Sequence, residues 1–564
     1  MDFKKEIIKI LSEIINCGEE EILLEIPPEN VEADFACPCF RFAKILKKAP
    51  NLIAQDIKEK IDGLKINFID EVKIDGGYLN FILNKEIYAQ EIILKLLNEK
   101  EGFFKFDIGK GKNIVLDYSS PNIAKPFHVG HLRSTVIGNA LYNIFSCLGY
   151  NCVSINHLGD WGTQFGKLIV SYKKWGNKKA VEENGINELM RLYVKFHEEA
   201  KENSELDDLA REWFVKMQNG DEKALDLWKW FNDLSLVEFK KIYERLGVKF
   251  DYYMGESFYN NKMQAVVDEL KEKKLLVESE GAMIVDLEKY KMPPCLILRS
   301  DGGTLYPTRD IAAAIYRKKN FDFEKCIYVT AFDQKLHFEQ WFKVIDLMEY
   351  DWAKKLVHVA FGLVSLDSGK LSTRSGHVVL MEDLLNEAVE KTKKIIDEKN
   401  PDLENKNDVA EIVGIGAIIF NDLYNGRIKD VVFSWDKILN FEGETGPYVQ
   451  YTYVRTCSLL KKAGEFDKKN LDYKVLTDEF SFKLVKLIGL FREKILDAAE
   501  KFEPYIISRH VMNIAQAFNK FYNNNLILDE AEKIKNARLN LCLCVNLSLK
   551  FGLKILGIKV SDVM

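Results

Sequence analysis

The side chains best suited to chemistry lie in one short stretch, PNIAKPFHVGHLRST, at residues 121–135. His128 and His131 are three residues apart, Gly130 lies between them, and Lys125 precedes them. A spacing of three on a helix puts both imidazoles on one face, where they could pack, bind a metal or hydrogen-bond a phosphate. A metal site would need a third ligand close by. The stretch contains no Asp, Glu or Cys, so the metal interpretation is the least favoured.

The packing and phosphate interpretations both stay open for the histidine pair taken alone. A helix N-terminus directs backbone N–H groups and a partial positive charge outward, and both attract phosphate. Imidazoles on the first turn can add donors, and Gly130 lets a flat base approach the backbone closely. All three features would serve an ATP molecule.

The surrounding pattern predicts where this stretch lies in a fold. IVLDYSS, from residue 114, has the character of a short buried strand, a helix begins near His128, and Gly149 is expected to end it. NCVSINHL then predicts a second strand. A strand, a helix and a strand in this order form a crossover unit of a parallel sheet, whose ligand crevice lies at the carboxyl ends of the strands. We therefore expect the histidines to lie in that crevice.

The chain has 564 residues, more than one hydrophobic core usually serves, so its size alone predicts three or more domains. The predicted fold class is α/β: a Rossmann-like parallel-sheet domain with an insertion, a small α/β N-terminal domain and an all-α C-terminal domain. Strand-like runs at MIVDL, CLILRS, CIYVT and VHVAFGLV are expected to complete the sheet after the insertion. The predicted boundaries are 1–105, 106–384 with a helical insertion at about 178–250, and 385–564.

Composition excludes several classes of protein. Hydrophobic residues make up 47% and charged residues 29%, which is typical of a soluble globular chain. The N-terminus lacks the apolar core of a secretory signal, and no window resembles a membrane span, so we expect a cytoplasmic protein without a membrane partner. The closest cysteine pairs, Cys37 with Cys39 and Cys542 with Cys544, lack zinc-site spacing and are interpreted as reduced buried thiols. A net charge of −6 argues against indiscriminate coating of nucleic acid.

The histidine stretch resembles the HIGH motif of class I aminoacyl-tRNA synthetases. Its frame, DYSSPNIAKPFHVGHLRST followed by NHLGDWGTQFG, is similar to arginyl-tRNA synthetases in particular, and YPTRDIAAA, LHFEQ, GKLSTRSG and EGETGPYVQYTYVR follow in that family's order. The similarity extends over essentially the whole chain. It implies an additional tRNA-binding domain at 1–105, the catalytic domain at 106–384, and a helical stem and anticodon-binding domain at 385–564.

The resemblance also implies a function and its partners. The function is ATP-dependent ligation of L-arginine to tRNA(Arg) through arginyl-adenylate, with ATP as substrate and Mg²⁺ accompanying it, in a monomer. We nominate no protein ligand for the metal. Two alternatives remain: a class I synthetase for another amino acid, and a catalytically silent paralogue that binds tRNA.

Site residues follow from the matched motifs. Glu256, Tyr306 and Asp310 are expected to bind the guanidinium, whose planar fork pairs bidentately with carboxylates. Asp310 could equally be an ordinary helix N-cap before IAAAIYR. Asp117 matches an acidic position whose role is left open. The amino and carboxylate ends of arginine are expected to be held by Ser119, Asn122 and Gln334. ATP is expected to be bound by His128, Gly130, His131, Lys370, Ser372 and Arg374. Catalysis is assigned to His128, His131, Lys125 and Lys370.

One motif departs from the class I pattern. The loop usually written KMSKS reads Lys370-Leu371-Ser372-Thr373-Arg374, so threonine stands at the second lysine position. A missing cation should weaken stabilisation of phosphate charge unless another group replaces it. We hypothesise that Lys125 replaces it, with assistance from Lys370 and Arg374. The competing interpretation of Lys125 is a solvated loop lysine, and Thr373 is the one feature that favours the silent paralogue.

Overall fold

The protein is described by a computed structural model at residues 2–28, 31–300, 302–366, 369–370 and 379–564, with the backbone alone at 366, 369 and 370. Two compact units are present. Unit 1 consists of Met1–Phe103, Ser458–Leu490 and Gln516–Ser548, and unit 2 consists of Phe104–Cys457, Phe491–Ala515 and Leu549–Met564.

Unit 1 begins with an amphipathic helix followed by a small sheet. The first helix is capped by Asp2, and its apolar residues recur at helical spacing, so one face is buried. The three strands pair antiparallel in the order β1-β3-β2, and the predicted Gly-Gly turn joins the last two of them through Gly76 and Gly77, both with positive φ. The elements are α1 Phe3–Ile15, β1 Phe35–Pro38, α2 Ala43–Leu46, α3 Pro50–Leu64, β2 Ile69–Asp75, β3 Tyr78–Leu83 and α4 Lys85–Glu99.

Unit 2 contains the remaining strands. They are β4 Asn113–Asp117, β5 Asn151–Asn156, β6 Tyr252–Tyr253, β7 Leu276–Ser279, β8 Ala282–Val285, β9 Cys295–Leu298, β10 Lys325–Ala331, β11 Leu356–Phe361, β12 Val364–Leu366, β13 Gly369–Lys370 and β14 Val431–Phe433. Five of them form a sheet in the order β11-β10-β4-β5-β6, in which every neighbouring pair is parallel. The chain leaves β4 toward one edge and later returns to β10 on its other side. A ligand crevice is expected at this reversal, at the carboxyl ends of β4 and β10.

Helices connect and follow these strands. Four of them, α6 to α9, form the insertion between β5 and β6, and the chain after residue 385 is helical apart from β14. The helices are α5 Leu132–Cys147, α6 Thr163–Trp175, α7 Lys178–Glu199, α8 Glu205–Gln218, α9 Glu222–Leu246, α10 Met263–Glu272, α11 Tyr306–Phe321, α12 Lys335–Leu347, α13 Met381–Lys399, α14 Lys406–Leu423, α15 Trp435–Ile438, α16 Gly446–Ala463, α17 Glu479–Lys501, α18 Tyr505–Asn524 and α19 Glu532–Ile555. The predicted fold class is confirmed. None of the described helices combines the length and the apolar character needed to cross a membrane.

Two of the predicted strands belong elsewhere. MIVDL and CLILRS form β8 and β9 of a separate three-stranded sheet, in which β8 pairs antiparallel with both β7 and β9. Only Glu280 and Gly281, both with positive φ, separate β7 from β8. Such a short turn makes a hairpin, whereas parallel pairing needs a crossover of about a dozen residues. CIYVT and the first part of VHVAFGLV do join the parallel sheet, as β10 and β11.

Helix α5 lies close to the central strand and is buried along most of its length. A Cβ atom added to Gly138 would lie 2.2 Å from the Cγ of Tyr118, the residue after β4. Glycine is therefore what allows the helix to approach the end of the strand. Gly149 follows the helix with a φ of 83°, as predicted for its C-terminal stop.

Candidate active site

The chain enters α5 through a single 3-10 turn, Val129–His131, capped by His128. The Nδ1 of His128 accepts a hydrogen bond from the N–H of Gly130 at 3.0 Å, and the Nδ1 of His131 accepts one from the N–H of His128 at 3.2 Å. A ring nitrogen that accepts carries no proton, so the proton of each imidazole is on Nε2. The two rings thus cap the turn reciprocally, and each keeps one N–H donor for another partner.

Electrostatics keeps both imidazoles neutral. Burial lowers the pKa of His131 to about 3, and the neighbouring His128 and Lys125 act in the same direction. Burial, followed by the positive charge of Lys125, also lowers the pKa of His128. At neutral pH the site therefore holds two uncharged donors rather than two cations.

The expectation of free backbone N–H groups at this helix start is wrong for its first turn. The N–H of Val129 donates to the carbonyl of Val379 at 3.2 Å, that of His131 donates to the carbonyl of His128 at 2.9 Å, and that of Gly130 is bound by the imidazole. The reason is that the capping ring and the strand-like segment beside it take up these groups. Donors to a phosphate must come from side chains here.

The absence of a side chain at Gly130 leaves space for the neighbouring ring of His128. A Cβ atom at this position would lie 2.7 Å from the Cε1 of His128 and 2.8 Å from its Nδ1. The glycine therefore makes room for the capping imidazole.

A cavity of about 600 Å³ opens at the carboxyl ends of β4 and β10, where the sheet order reverses. Gly130 and His131 line it from the helix start. All the residues predicted to bind arginine line it as well: Ser119, Asn122, Glu256, Tyr306, Asp310 and Gln334. These six residues come from four separated segments of the chain, and the fold brings them together.

The loop between β4 and the histidine turn contains unusual backbone conformations. Ser119, Ser120 and Ala124 have φ angles of 73°, 47° and 61°, in the left-handed region that residues other than glycine rarely adopt. Ser119 is held by its N–H to the Oγ of Ser134 at 2.8 Å and by its Oγ to the hydroxyl of Tyr243 at 2.7 Å. The loop is therefore fixed by buried hydrogen bonds from α5 and α9.

The GDWG turn supports this loop from the other side. The N–H of Gly159 donates to the carbonyl of Pro121, and the N–H of Ile123 donates to the carbonyl of Gly159, both at 3.1 Å. A Cβ atom at Gly159 would lie 2.1 Å from the Oδ1 of Asn122. Trp161 packs against Trp228 with ring centroids 5.6 Å apart. These contacts make the turn a structural support for the loop.

Both carboxylates predicted for the guanidinium already have partners. Glu256 Oε2 pairs with Arg309 Nη1 at 3.0 Å, and Asp310 Oδ2 accepts a hydrogen bond from His337 Nε2 at 2.6 Å. Burial raises the pKa of Glu256 to about 7, although Arg309 opposes this shift. The alternative of Asp310 as an N-cap is wrong, because α11 begins at Tyr306 and the cap position is Leu305.

The position left open, Asp117, forms a buried ion pair. Its Oδ2 lies 2.7 Å from Arg317 Nη2, and the same guanidinium nitrogen donates to His157 Nδ1 at 3.3 Å. Asp117 and His157 both line the cavity, as does Tyr328. Sequence reasoning nominated neither His157 nor His337, although both stand in the matched motifs NHLGDWG and LHFEQ.

A smaller cavity of about 160 Å³ adjoins the first one. The two share Gly130, Ala331 and Phe361. The smaller cavity is lined by His128, Val129, Gly130, Arg133, Ala331, Phe361, Gly362, Leu363, Val364 and Val379. The histidine turn therefore contributes lining residues to both cavities.

Four predicted site residues remain: Lys125, Lys370, Ser372 and Arg374. Lys125 is exposed, and its Nζ lies 5.9 Å from the ring centroid of Tyr193. Lys125 is not one of the described residues that line either cavity. Ser372 and Arg374 lie outside the described residues, and for Lys370 only the backbone is described, as part of β13.

A parallel sheet whose order reverses beside a histidine-capped helix start defines the catalytic domain of a class I aminoacyl-tRNA synthetase. A family model described as tRNA synthetases class I (R), catalytic domain, matches residues 92–435. The model for the arginyl tRNA synthetase N terminal domain matches residues 1–83, and the DALR anticodon binding domain matches 449–564. The chain belongs to the arginyl-tRNA synthetase family.

Known proteins are similar over the same extent. An arginine–tRNA ligase of Halothermothrix orenii is 56% identical, and the match covers 100% of both chains. The structure of an arginyl-tRNA synthetase from Plasmodium falciparum is 28% identical, with a TM-score of 0.82, and the match covers 100% of this chain and 99% of that one. A Thermus thermophilus arginyl-tRNA synthetase gives a TM-score of 0.85 over 100% of both chains at 24% identity, which supports the fold alone.

Proposed function

We propose that this chain is an arginine–tRNA ligase, which uses ATP as a substrate to join L-arginine to tRNA(Arg) through arginyl-adenylate. One observation carries the proposal. The arginine-binding candidates converge in one cavity beside a turn that presents two neutral imidazole donors. Family membership supports the same activity over the whole length of the chain.

In the first step, a carboxylate oxygen of arginine attacks the α-phosphorus of ATP and pyrophosphate leaves. Negative charge builds on the phosphoryl oxygens as the new bond forms. His128 and His131 would donate their Nε2–H groups to these oxygens, and such donors accelerate a reaction when their bonds strengthen in the transition state. Because both rings are neutral and held by their Nδ1 atoms, these donors need no reorganisation during the step.

Glu256 and Asp310 would recognise the guanidinium of arginine, with Tyr306 beside them. In the unliganded site these carboxylates are bound by Arg309 and His337, so neither is buried as an uncompensated charge. The substrate guanidinium would replace or join these partners. Lysine lacks the planar fork and citrulline lacks the charge, so neither offers the carboxylates an equivalent partner. Ser119, Asn122 and Gln334 would hold the amino and carboxylate ends.

Lys125 would supply the cation that Thr373 does not. Its positive charge contributes to lowering the pKa of both His128 and His131, so its field reaches the histidine turn. In this proposal the exposed side chain swings toward the phosphates when ATP binds. Lys370, Ser372 and Arg374 would contribute from the second loop.

The finer assignments complete the proposal. Residues 1–105 would be the additional tRNA-binding domain, 106–384 the catalytic domain, and 385–564 the stem and anticodon-binding domain. Mg²⁺ would accompany ATP, held by phosphates and water as is usual for this cation. The enzyme would act as a monomer in the cytoplasm.

Pyrophosphate exchange into ATP tests the proposal directly. Each amino acid is assayed with and without tRNA(Arg), and the family resemblance predicts exchange with arginine alone, only in the presence of the tRNA. Exchange with a different amino acid would support a class I synthetase of other specificity. No exchange under any condition would support a silent tRNA-binding paralogue.

A further inference from the structure

Arg133, two residues after His131, is a buried cation with three partners from outside its own helix. Its side chain is 1% exposed, and its Nε lies 3.0 Å from the Oδ1 of Asp422, which is 3% exposed and belongs to α14. Its Nη1 donates to the carbonyl of Gly362 at 2.9 Å and to that of Lys429 at 2.7 Å. A single side chain thus joins α5 to three other segments of unit 2.

The two carbonyls belong to segments that lie side by side and continue into the parallel pair β12 and β14. The N–H of Gly362 donates to the carbonyl of Arg427 at 2.8 Å, and the N–H of Val431 donates to that of Leu363 at 2.9 Å. A Cβ atom at Gly362 would lie 2.6 Å from the carbonyl oxygen of Ile428. Arg133 therefore binds two adjacent segments that have little room to shift against each other.

The segment that contains Gly362 forms one wall of the smaller cavity. Phe361 to Val364 line that wall, while His128 and Gly130 line the cavity from the helix start. Val379, on a further side, is attached to the histidine turn by the N–H of Val129. The guanidinium of Arg133 donates a hydrogen bond to the carbonyl of Gly362 in this wall. It thereby links the wall to α5, the helix that follows the histidine turn.

A stabilising role alone does not require this arrangement. Buried ion pairs contribute little to stability compared with well-packed apolar side chains of similar volume, because both charges must be desolvated. The planar guanidinium does, however, fix directions, since its donors lie in one rigid fork. A carboxylate on one side and two carbonyls on the other define where Gly362 lies relative to His128.

We propose that Arg133 is a positioning residue for ATP, setting the width of the smaller cavity between Gly362 and the histidine turn, with Asp422 holding its guanidinium in place. The inference rests on the proposed function in that the smaller cavity receives part of ATP. Arginine binds in the larger cavity, whose lining does not include Gly362. ATP and arginine should therefore respond differently to loss of Arg133.

The test compares Arg133→Lys, Arg133→Gln and a control in arginine-dependent pyrophosphate exchange. We expect Arg133→Gln to raise the KM for ATP about tenfold while the KM for arginine changes less than about twofold, since buried charge-assisted bonds are lost from one cavity wall only. Arg133→Lys should show the same split with a smaller rise. Arg245→Gln removes an ion pair to Glu411 on the same helix α14, away from both cavities, and should change neither KM.

Equal rises in both KM values, or none, in folded Arg133→Gln would overturn the inference. If that variant does not fold, Asp422→Asn should give the same split, and its absence would overturn the inference equally. Amide hydrogen exchange supplies a readout independent of activity. The amides of Leu363 and Val431 should exchange faster in Arg133→Lys and not in Arg245→Gln; unchanged rates would reject the role. An inactive wild type would reject the proposed function, and hydrogen exchange would still decide the role of Arg133.

Discussion

The N–H of His128 donates to the Nδ1 of His131 at 3.2 Å, which leaves the Nε2 of His131, a residue that lines the larger cavity, as a proton donor. This geometry separates the two nitrogens by role: one holds the turn and the other is available to a ligand. Asparagine can place an oxygen near the Nδ1 position, whereas glutamine can place an N–H near the Nε2 position. The two substitutions therefore test the two roles separately.

We predict that His131→Asn lowers the rate of adenylate formation about 100-fold, because the transition-state donor is lost while the cap remains. His131→Gln should lose less rate and more thermal stability, since it keeps a donor and loses the cap. Pyrophosphate exchange and thermal melting measure the two effects. An unimpaired rate in His131→Asn would show that Nε2 donates nothing to the reaction.

Glu256 gives the site a pH dependence with a defined sign. Burial raises the pKa of its carboxyl to about 7 in the unliganded protein, and only the ionised form pairs with a guanidinium. The KM for arginine should be constant above that pH and rise as the pH falls below it, approaching about tenfold per pH unit. His131 does not obscure this effect, because burial lowers its pKa to about 3, well below this pH range.

The matched variant is Glu256→Gln, in which the KM for arginine should be high and independent of pH between about 6 and 8. The KM for ATP, measured in the same series, serves as the internal control and should not follow the same curve. A wild-type KM for arginine that stays flat through pH 7 would exclude Glu256 as the titrating ligand.

Gly130→Ala should inactivate the enzyme without unfolding it. The added Cβ would meet the His128 ring at 2.7 Å, so the imidazole must leave its capping position. We expect exchange activity to fall at least about tenfold, since a displaced donor no longer reaches the phosphoryl oxygens. Gly63→Ala is the control, because a Cβ there meets nothing within 4 Å and should favour its helix. Retained activity in Gly130→Ala would show that the His128 position tolerates movement.

Lys125 is tested by charge. If it replaces the missing lysine of the second loop, Lys125→Ala should lower kcat about 100-fold, and Lys125→Arg should retain part of the activity because the charge is kept. Lys179→Ala, which removes an exposed lysine of α7 paired with Glu183 at 3.7 Å, is the control. Full activity in Lys125→Ala would leave Lys125 as a solvated loop residue.

The central part of the fold could be predicted because its signals are local. Each signal involves only a few neighbouring residues and corresponds to an observed element. The signals are the apolar run before Asp117, the apolar residues at every fourth position of α5, and Gly149 after that helix. Ordered motifs then indicated which distant residues share a site. The convergence of Glu256, Asp310 and Gln334 agrees with that expectation.

Pairing between distant side chains could not be predicted in the same way. Glu256 with Arg309 and Asp310 with His337 are contacts between segments 53 and 27 residues apart, and no periodicity marks them. Residue preferences at helix ends also do not fix where a helix begins when the tertiary structure is unknown. Asp310 satisfies the residue preference of a cap, yet the helix begins four residues earlier, at Tyr306. One backbone donor of the histidine turn, the N–H of Val129, is likewise bound by the carbonyl of Val379, which lies far away in sequence.

The left-handed conformations of Ser119, Ser120 and Ala124 have a consequence for how this enzyme can adapt to temperature. Each such residue costs about 1 kcal/mol relative to glycine, so the loop that carries Ser119 and Asn122 is held above its own energy minimum by the surrounding hydrogen bonds. Glycine at Ser120 would remove that strain and also let the loop sample other shapes. Selection for heat resistance and selection for turnover would therefore act in opposite directions at this position.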